Sequence, residues 1–151
     1  EVADTVDAAR AVLDRLPVAA SYNLTMMDAT GAVVTAFVSP GNAPEYTDSA
    51  VATNHRGRVP ERPEHARALR SVERQDHLLG LLGEPTEPAA LAAAFLQPPL
   101  YSRRYAQGFG TLFTAAYRPR SQELTYSWPE ASFTRTFDSP DDDITVSLRE
   151  G

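Results

Sequence analysis

The sequence predicts an α+β fold built on antiparallel hairpins. Three observations carry that expectation. Two pairs of extended-chain runs are each joined by a short turn, Asp28-Ala29-Thr30-Gly31 in the first and Arg118-Pro119-Arg120-Ser121-Gln122 in the second, and turns this short return the chain antiparallel. Helix-type segments lie before and between the hairpins, rather than alternating with single strands as in a parallel sheet. The chain has 151 residues, a length that suits one domain, and its 42% apolar and 23% charged residues are ordinary for a globular protein.

The elements follow in order. Asp4 or Thr5 offers a helix cap, and Val6, Ala9, Val12, Leu13 and Leu16 recur at helical spacing. Pro17 removes a backbone donor, so the helix is expected to end near Leu16. Val18 to Met27 reads as a strand, Gly31 supplies a positive φ to the turn, and the β-branched and aromatic run Val33 to Val38 returns. Tyr46 to Thr53 is expected as a third strand leading into Asn54-His55. Glu64 to Leu82 reads as one helix stopped by Gly83, and Pro88 opens another through Phe95. Thr111 to Tyr117 and Glu123 to Trp128 form the second hairpin, with Phe133 to Phe137 and Ile144 to Leu148 as short closing strands. The acidic run Asp138 to Asp143 between those two is read as a solvated turn.

Composition excludes several function classes. Net charge is −6, so the chain offers no broad basic surface to a phosphate backbone, and nucleic acid is not expected as a partner. The basic cluster from Arg56 to Arg74 is interleaved with Glu61, Glu64 and Glu73 and reads as a solvated helix face. There are no cysteines, which removes disulfides, thiolate metal sites and a cysteine nucleophile within these residues. His55, His65 and His77 do not fall at metal-ligand spacing, so no metal is expected. No apolar run approaches the ~20 residues of a membrane span, so no membrane partner is expected. The segment Glu1-Val2-Ala3-Asp4 has neither the basic nor the apolar region of a signal peptide. A cytoplasmic protein trimmed at its N-terminus is the resulting expectation.

Several segments, taken in order, resemble the isopenicillin N acyltransferase family, also called the acyl-CoA:6-aminopenicillanic acid acyltransferase family. They are Leu16-Pro17-Val18-Ala19-Ala20-Ser21-Tyr22-Asn23-Leu24-Thr25 with Asp28-Ala29-Thr30-Gly31, then Ala52-Thr53-Asn54-His55, Ser71-Val72-Glu73-Arg74 and Pro98-Pro99-Leu100-Tyr101. The last is Gly110-Thr111-Leu112-Phe113-Thr114-Ala115-Ala116-Tyr117-Arg118-Pro119, closed by Trp128-Pro129-Glu130. The resemblance implies a partial α/β/β/α sandwich of the N-terminal-nucleophile hydrolases, to which the choloylglycine hydrolases are related. Residues 1–151 would then be a single domain or the C-terminal half of a larger one. It further implies amide hydrolysis or acyl transfer on a small acyl amide or thioester, without a cofactor. The family's nucleophile, usually cysteine, becomes a new N-terminal residue whose α-amine, with a pKa near 8, acts as the base.

In this resemblance Asn54 matches the asparagine of a Thr-Asn-His motif that helps hold the substrate carbonyl or oxyanion. A carboxamide suits that role because it donates hydrogen bonds without adding charge. Arg74 matches the arginine of a Ser-x-x-Arg motif and is expected to brace the nucleophile's surroundings or a carboxylate. Asn54 and Arg74 are thus the catalytic candidates, and His55, Tyr22 and Asn23 the substrate-binding ones. Strand alternation places Tyr22, Leu24 and Met26 on one face and Asn23 and Thr25 on the other, so Asn23 is also a candidate for a polar inter-strand contact. Ser71 is read as structural, a helix cap. No Gly-x-Ser-x-Gly occurs, so His55 is not read as the base of a serine triad. Trp128 is expected to pack the second hairpin, and Tyr101, Tyr105 and Phe109, four residues apart, to pack the core.

The nucleophile of the resemblance has no counterpart in the chain. The expected partner is a nucleophile-bearing N-terminal segment or subunit, or a homodimer partner, together with a small acyl substrate. Half a two-sheet sandwich that left ~1,000 Å² of apolar surface uncovered would forgo about 25 kcal/mol at ~25 cal/mol per Å². That exceeds the ~5–15 kcal/mol net stability of a domain, so a lone half should associate. The alternative expectation is a non-catalytic ligand-binding or interaction domain derived from the same fold, which should be monomeric. On either view the chain alone is expected to be inactive.

Overall fold

The computed structural model describes residues 3–57, 59–139 and 143–150. They form a mixed α+β fold with three small antiparallel sheets, and the chain divides into two compact units, Glu1–Leu79 and Gly80–Gly151.

The first unit begins with helix α1, Val6–Leu13, capped by the Thr5 hydroxyl, which accepts the Ala8 N–H at 3.2 Å. The helix stops at Leu13, three residues before the expected end. Leu16 still bonds the Val12 carbonyl, so the chain continues as a turn toward Pro17. Strands β1 (Tyr22–Met27), β2 (Val33–Val38) and β3 (Glu45–Thr47) form one antiparallel sheet in that order. The Asp28–Gly31 turn forms as expected, with Gly31 at φ 91°. Asp28 locks it by accepting from the Thr30 hydroxyl at 2.6 Å and the Thr30 N–H at 2.9 Å, and also accepts the Val6 N–H of α1.

Tyr22, Leu24 and Met26 lie opposite Val38, Ala36 and Val34, so these six share the apolar face of the sheet. Asn23, Thr25, Thr35 and Phe37 share the other. Strand β2 is the center of the unit, with Val34, Thr35, Ala36 and Val38 all buried. The fully buried Thr35 hydroxyl donates to the Ser49 carbonyl and accepts from Thr25, each at 2.8 Å. Burial of the hydroxyl is therefore compensated.

The third strand is three residues long where the sequence suggested eight. Beyond Thr47 the backbone is satisfied by side chains instead of a ladder: Ser49 Oγ accepts the Val51 N–H, and the Ser49 carbonyl takes the Thr35 hydroxyl. The expected single helix from Glu64 to Leu82 is two, α2 (Pro63–Ala68) and α3 (Ser71–Leu82). They are separated at Arg70, whose φ of 50° lies in the left-handed region and interrupts the helix. Arg70 is held there by a paired contact to Glu73, Nε to Oε2 at 2.6 Å.

The second unit contains α4 (Pro88–Ala94), with Pro88 in its first turn, and the two-residue strands β4 (Arg103–Arg104) and β5 (Phe109–Gly110). Strands β6 (Thr114–Arg118), β7 (Glu123–Trp128) and β8 (Ala131–Thr136) form its main sheet. Gly110 permits the β4–β5 pairing, because the Tyr105 ring occupies the place where a Cβ would stand. Trp128 joins the hairpin, its indole N–H donating to the Leu112 carbonyl at 2.7 Å. Of the three aromatics spaced by four, Tyr101 is buried, Tyr105 is half-buried and Phe109 is exposed. Ile144–Leu148 does not form the expected strand; residues 143–150 are irregular. The expected turn at Asp138 to Asp143 lies partly outside the described residues. No helix among the described residues is long and apolar enough to cross a membrane.

Candidate functional site

The site is assembled on the polar face of the first sheet. Asn23 donates through Nδ2 to the Thr53 carbonyl at 2.6 Å and to the His55 carbonyl at 3.3 Å. The strand side chain thereby straddles Asn54 and pins both of its neighbours. Asn23 contacts this loop, whereas the polar contact across the β1–β2 pair is supplied by Thr25 and Thr35. Arg56, next along the loop, lies over the Phe37 ring on the same face.

His55 is 4% exposed, with both ring nitrogens paired. Nδ1 meets the Ser71 hydroxyl at 2.9 Å and Thr53 Oγ1 at 3.2 Å; Nε2 meets Gln75 Oε1 at 3.0 Å. Gln75 donates its own Nε2–H to the Gly57 carbonyl, so its oxygen faces His55 and Nε2 of the imidazole carries a hydrogen. Ser71 is fully buried and joins the loop to the first turn of α3, so it anchors the helix through its side chain. Thr53, Ser71 and Gln75 escaped the candidate set. Their available signal was polar residues at positions 71 and 75, one helical turn apart, with Leu78 continuing the same buried face.

Arg74, three residues on from Ser71, donates through Nη2 to Asn54 Oδ1 at 2.5 Å. Arginine has no acceptor, so the atom it touches must be the carboxamide oxygen. The two N–H donors of Asn54 remain unpaired among the described residues. The Arg74 guanidinium is partly enclosed, its Nε is buried without a partner, and burial pushes its pKa down. No ion pair to a carboxylate neutralises it among the described residues. A cationic donor on Oδ1 draws electron density from the amide and makes its N–H groups stronger donors.

Asn54 is exposed on an open cleft of about 690 Å³, lined also by Ser21, Tyr22, Asn23, Thr53, His55, Arg56, Glu61, Arg62 and His65. Thus Asn54, His55, Tyr22 and Asn23 all meet at one cleft, and Arg74 reaches it through Asn54. Tyr22 is 51% exposed there. No group of three or more metal-ligating side chains occurs among the described residues.

A polarised, charge-neutral donor at the mouth of a cleft is the kind of device that receives a carbonyl oxygen as it gains negative charge. The chain belongs to the acyl-coenzyme A:6-aminopenicillanic acid acyl-transferase family, whose model matches residues 1–132. No curated protein and no solved structure matches it significantly.

Proposed function

We propose that this chain supplies the carbonyl-binding half of an N-terminal-nucleophile amidohydrolase or acyltransferase, the nucleophile coming from outside these residues. In this reading it is the C-terminal portion of an α/β/β/α sandwich of the kind shared with choloylglycine hydrolases. The observation that carries it is the Arg74–Asn54 contact: the carboxamide oxygen is occupied and its N–H donors are left for the cleft.

The incoming nucleophile, a thiol in most of the family, gives its proton to its own α-amine and bonds to the acyl carbon. The carbonyl π pair moves to oxygen, and Asn54 N–H donates to the resulting oxyanion. Collapse breaks the bond to the leaving amine or thiol, which takes the proton from the α-amine. Water or an acceptor amine then releases the acyl group by the reverse sequence. Asn23 and the His55–Ser71–Gln75 network hold the loop; they fix where Asn54 stands and take no proton.

The test is kinetic. The complete product of the reading frame, with its intact mass established, is assayed on chromogenic acyl anilides and acyl thioesters. Asn54→Ala should lower kcat by about 10²–10³-fold, the effect of removing one oxyanion donor. KM should change much less. A variant with kcat within threefold of wild type would overturn the assignment.

A further inference from the structure

A groove in the second unit is lined by Tyr101, Arg103 and Tyr105 around β4, by Trp128, Pro129 and Glu130 at the β7–β8 turn, and by residues 146–149 of the C-terminal segment. The cavity that remains there is only about 30 Å³, so the segment is seated in the groove. The rest of the lining is satisfied without it. The Trp128 indole N–H donates to the Leu112 carbonyl at 2.7 Å, the Tyr105 hydroxyl donates to the Thr111 carbonyl at 2.8 Å, and Arg103 pairs with Glu130 at 3.5 Å. Tyr101 is buried, its hydroxyl 3.4 Å from that of Tyr105. A groove whose polar groups are bonded within the body is preformed, and an occupant bears little of the cost of ordering it. The segment itself is lightly held. Residues 143–150 form no helix, strand or backbone–backbone hydrogen bond among the described residues. Val146 is half-buried, Leu148 is 41% exposed, and one polar contact anchors the end, the Glu150 carboxylate accepting the Ala106 N–H. The segment also lies past residue 132, where the family match ends.

We infer that residues 146–150 are a strap on a preformed peptide-docking groove. The groove takes a segment with apolar side chains two residues apart and an acid two further on, which are Val146, Leu148 and Glu150 in this chain. The strap is its resident occupant, and a separate peptide of the same pattern takes its place. Apolar burial supplies the attraction. The bond from a charged carboxylate to one backbone donor sets the register, because it fixes which residue lies where. The light attachment makes the strap displaceable: a segment without ladder hydrogen bonds has few contacts to lose. This role is independent of Asn54, whose cleft is in the first unit.

The test uses the whole protein, isotope-labelled, with NMR followed at the Trp128 indole N–H and the Ala106 backbone N–H. Glu150→Ala should speed hydrogen exchange at the Ala106 N–H by about tenfold, the scale of one charge-assisted hydrogen bond. The double substitution Val146→Asp with Leu148→Asp should unseat the strap and shift the Trp128 indole signal. A synthetic peptide of residues 143–150, added to that double variant, should return the signal saturably toward its wild-type position, with a Kd between about 10 μM and 1 mM. A scrambled peptide of the same composition should leave it where it is.

Ala106 exchange unchanged by Glu150→Ala, a Trp128 signal unmoved by the double substitution, or a peptide with no saturable effect would each overturn the strap. So would a double variant that lost the β6–β7–β8 sheet, since the segment would then be part of the core and not a layer added to it. Equal binding of the scrambled peptide would overturn the pattern of Val146, Leu148 and Glu150 as what the groove reads.

Discussion

Asn54 gains its character from residues that never enter the cleft chemistry. Asn23 fixes the backbone on both sides of it, and Arg74 fixes the orientation of its amide. His55 looks like a site residue in sequence because its chemistry is versatile, yet its ring is buried and fully engaged. Removing one partner from such a buried polar pair costs about 1–3 kcal/mol, so the network is a rigid seat for the neighbouring asparagine. The motif Thr53-Asn54-His55 was legible because a family resemblance singled it out. That Arg56, Glu61, Arg62 and His65 line the same cleft was not, since a run of mixed charge reads as a solvated face. Asp28 illustrates a residue whose role was legible only in part. Sequence places it in a turn; the structure adds the Thr30 hydroxyl first, then the Val6, Thr30 and Ala32 N–H groups, which together lower its pKa from 3.8 to about 2. A depressed carboxylate pKa means stabilisation that is fully present above about pH 4 and is lost as pH falls through about 2. NMR titration of the Asp28 carboxyl should show that low midpoint, and Thr30→Ala should raise it. An ordinary midpoint in the wild type would contradict the turn lock.

Elements with a strong local signal formed where the sequence placed them. Strands β2 and β7 coincide with the Val33–Val38 and Glu123–Trp128 runs, because β-branched and aromatic side chains with a short turn at one end leave few alternatives. The failures have local causes that propensity does not encode. Strand β3 is short because the Ser49 and Thr35 side chains satisfy the backbone in its place. The break between α2 and α3 sits at an arginine, a residue with good helix propensity, so nothing in composition announces it. Its consequence is functional: α3 starts afresh at Ser71, which directs Ser71 and Gln75 to His55 and Arg74 to Asn54. Because Arg70 has positive φ, Arg70→Gly should be close to neutral, losing only an exposed pair worth about 0–1 kcal/mol. Arg70→Val, which is β-branched, should destabilise by roughly 1–3 kcal/mol. Urea unfolding of the two variants distinguishes them; equal stability would mean that the break is not imposed at this residue.

At the scale of the whole molecule, the α+β class and antiparallel pairing were legible, and membership in the acyl-transferase family extends over residues 1–132. That span includes all of the cleft and its supporting network. The division into two compact units was not legible, because no linker-like composition marks the boundary at Leu79. Nor does any element contain a cysteine that would complete the reaction, since the chain has none. On the proposed reading, the cleft at Asn54 receives the carbonyl and the nucleophile comes from outside these residues. The family membership suggests the reaction class.

The most direct measurement is a crystal structure of the assembled enzyme inactivated by an acyl phosphonate or aldehyde that mimics the tetrahedral intermediate. The account predicts Asn54 Nδ2 about 2.7–3.1 Å from the oxyanion mimic, with Arg74 still on Oδ1. An inhibitor oxygen bound by other donors, with the Asn54 amide turned away from it, would contradict the central claim.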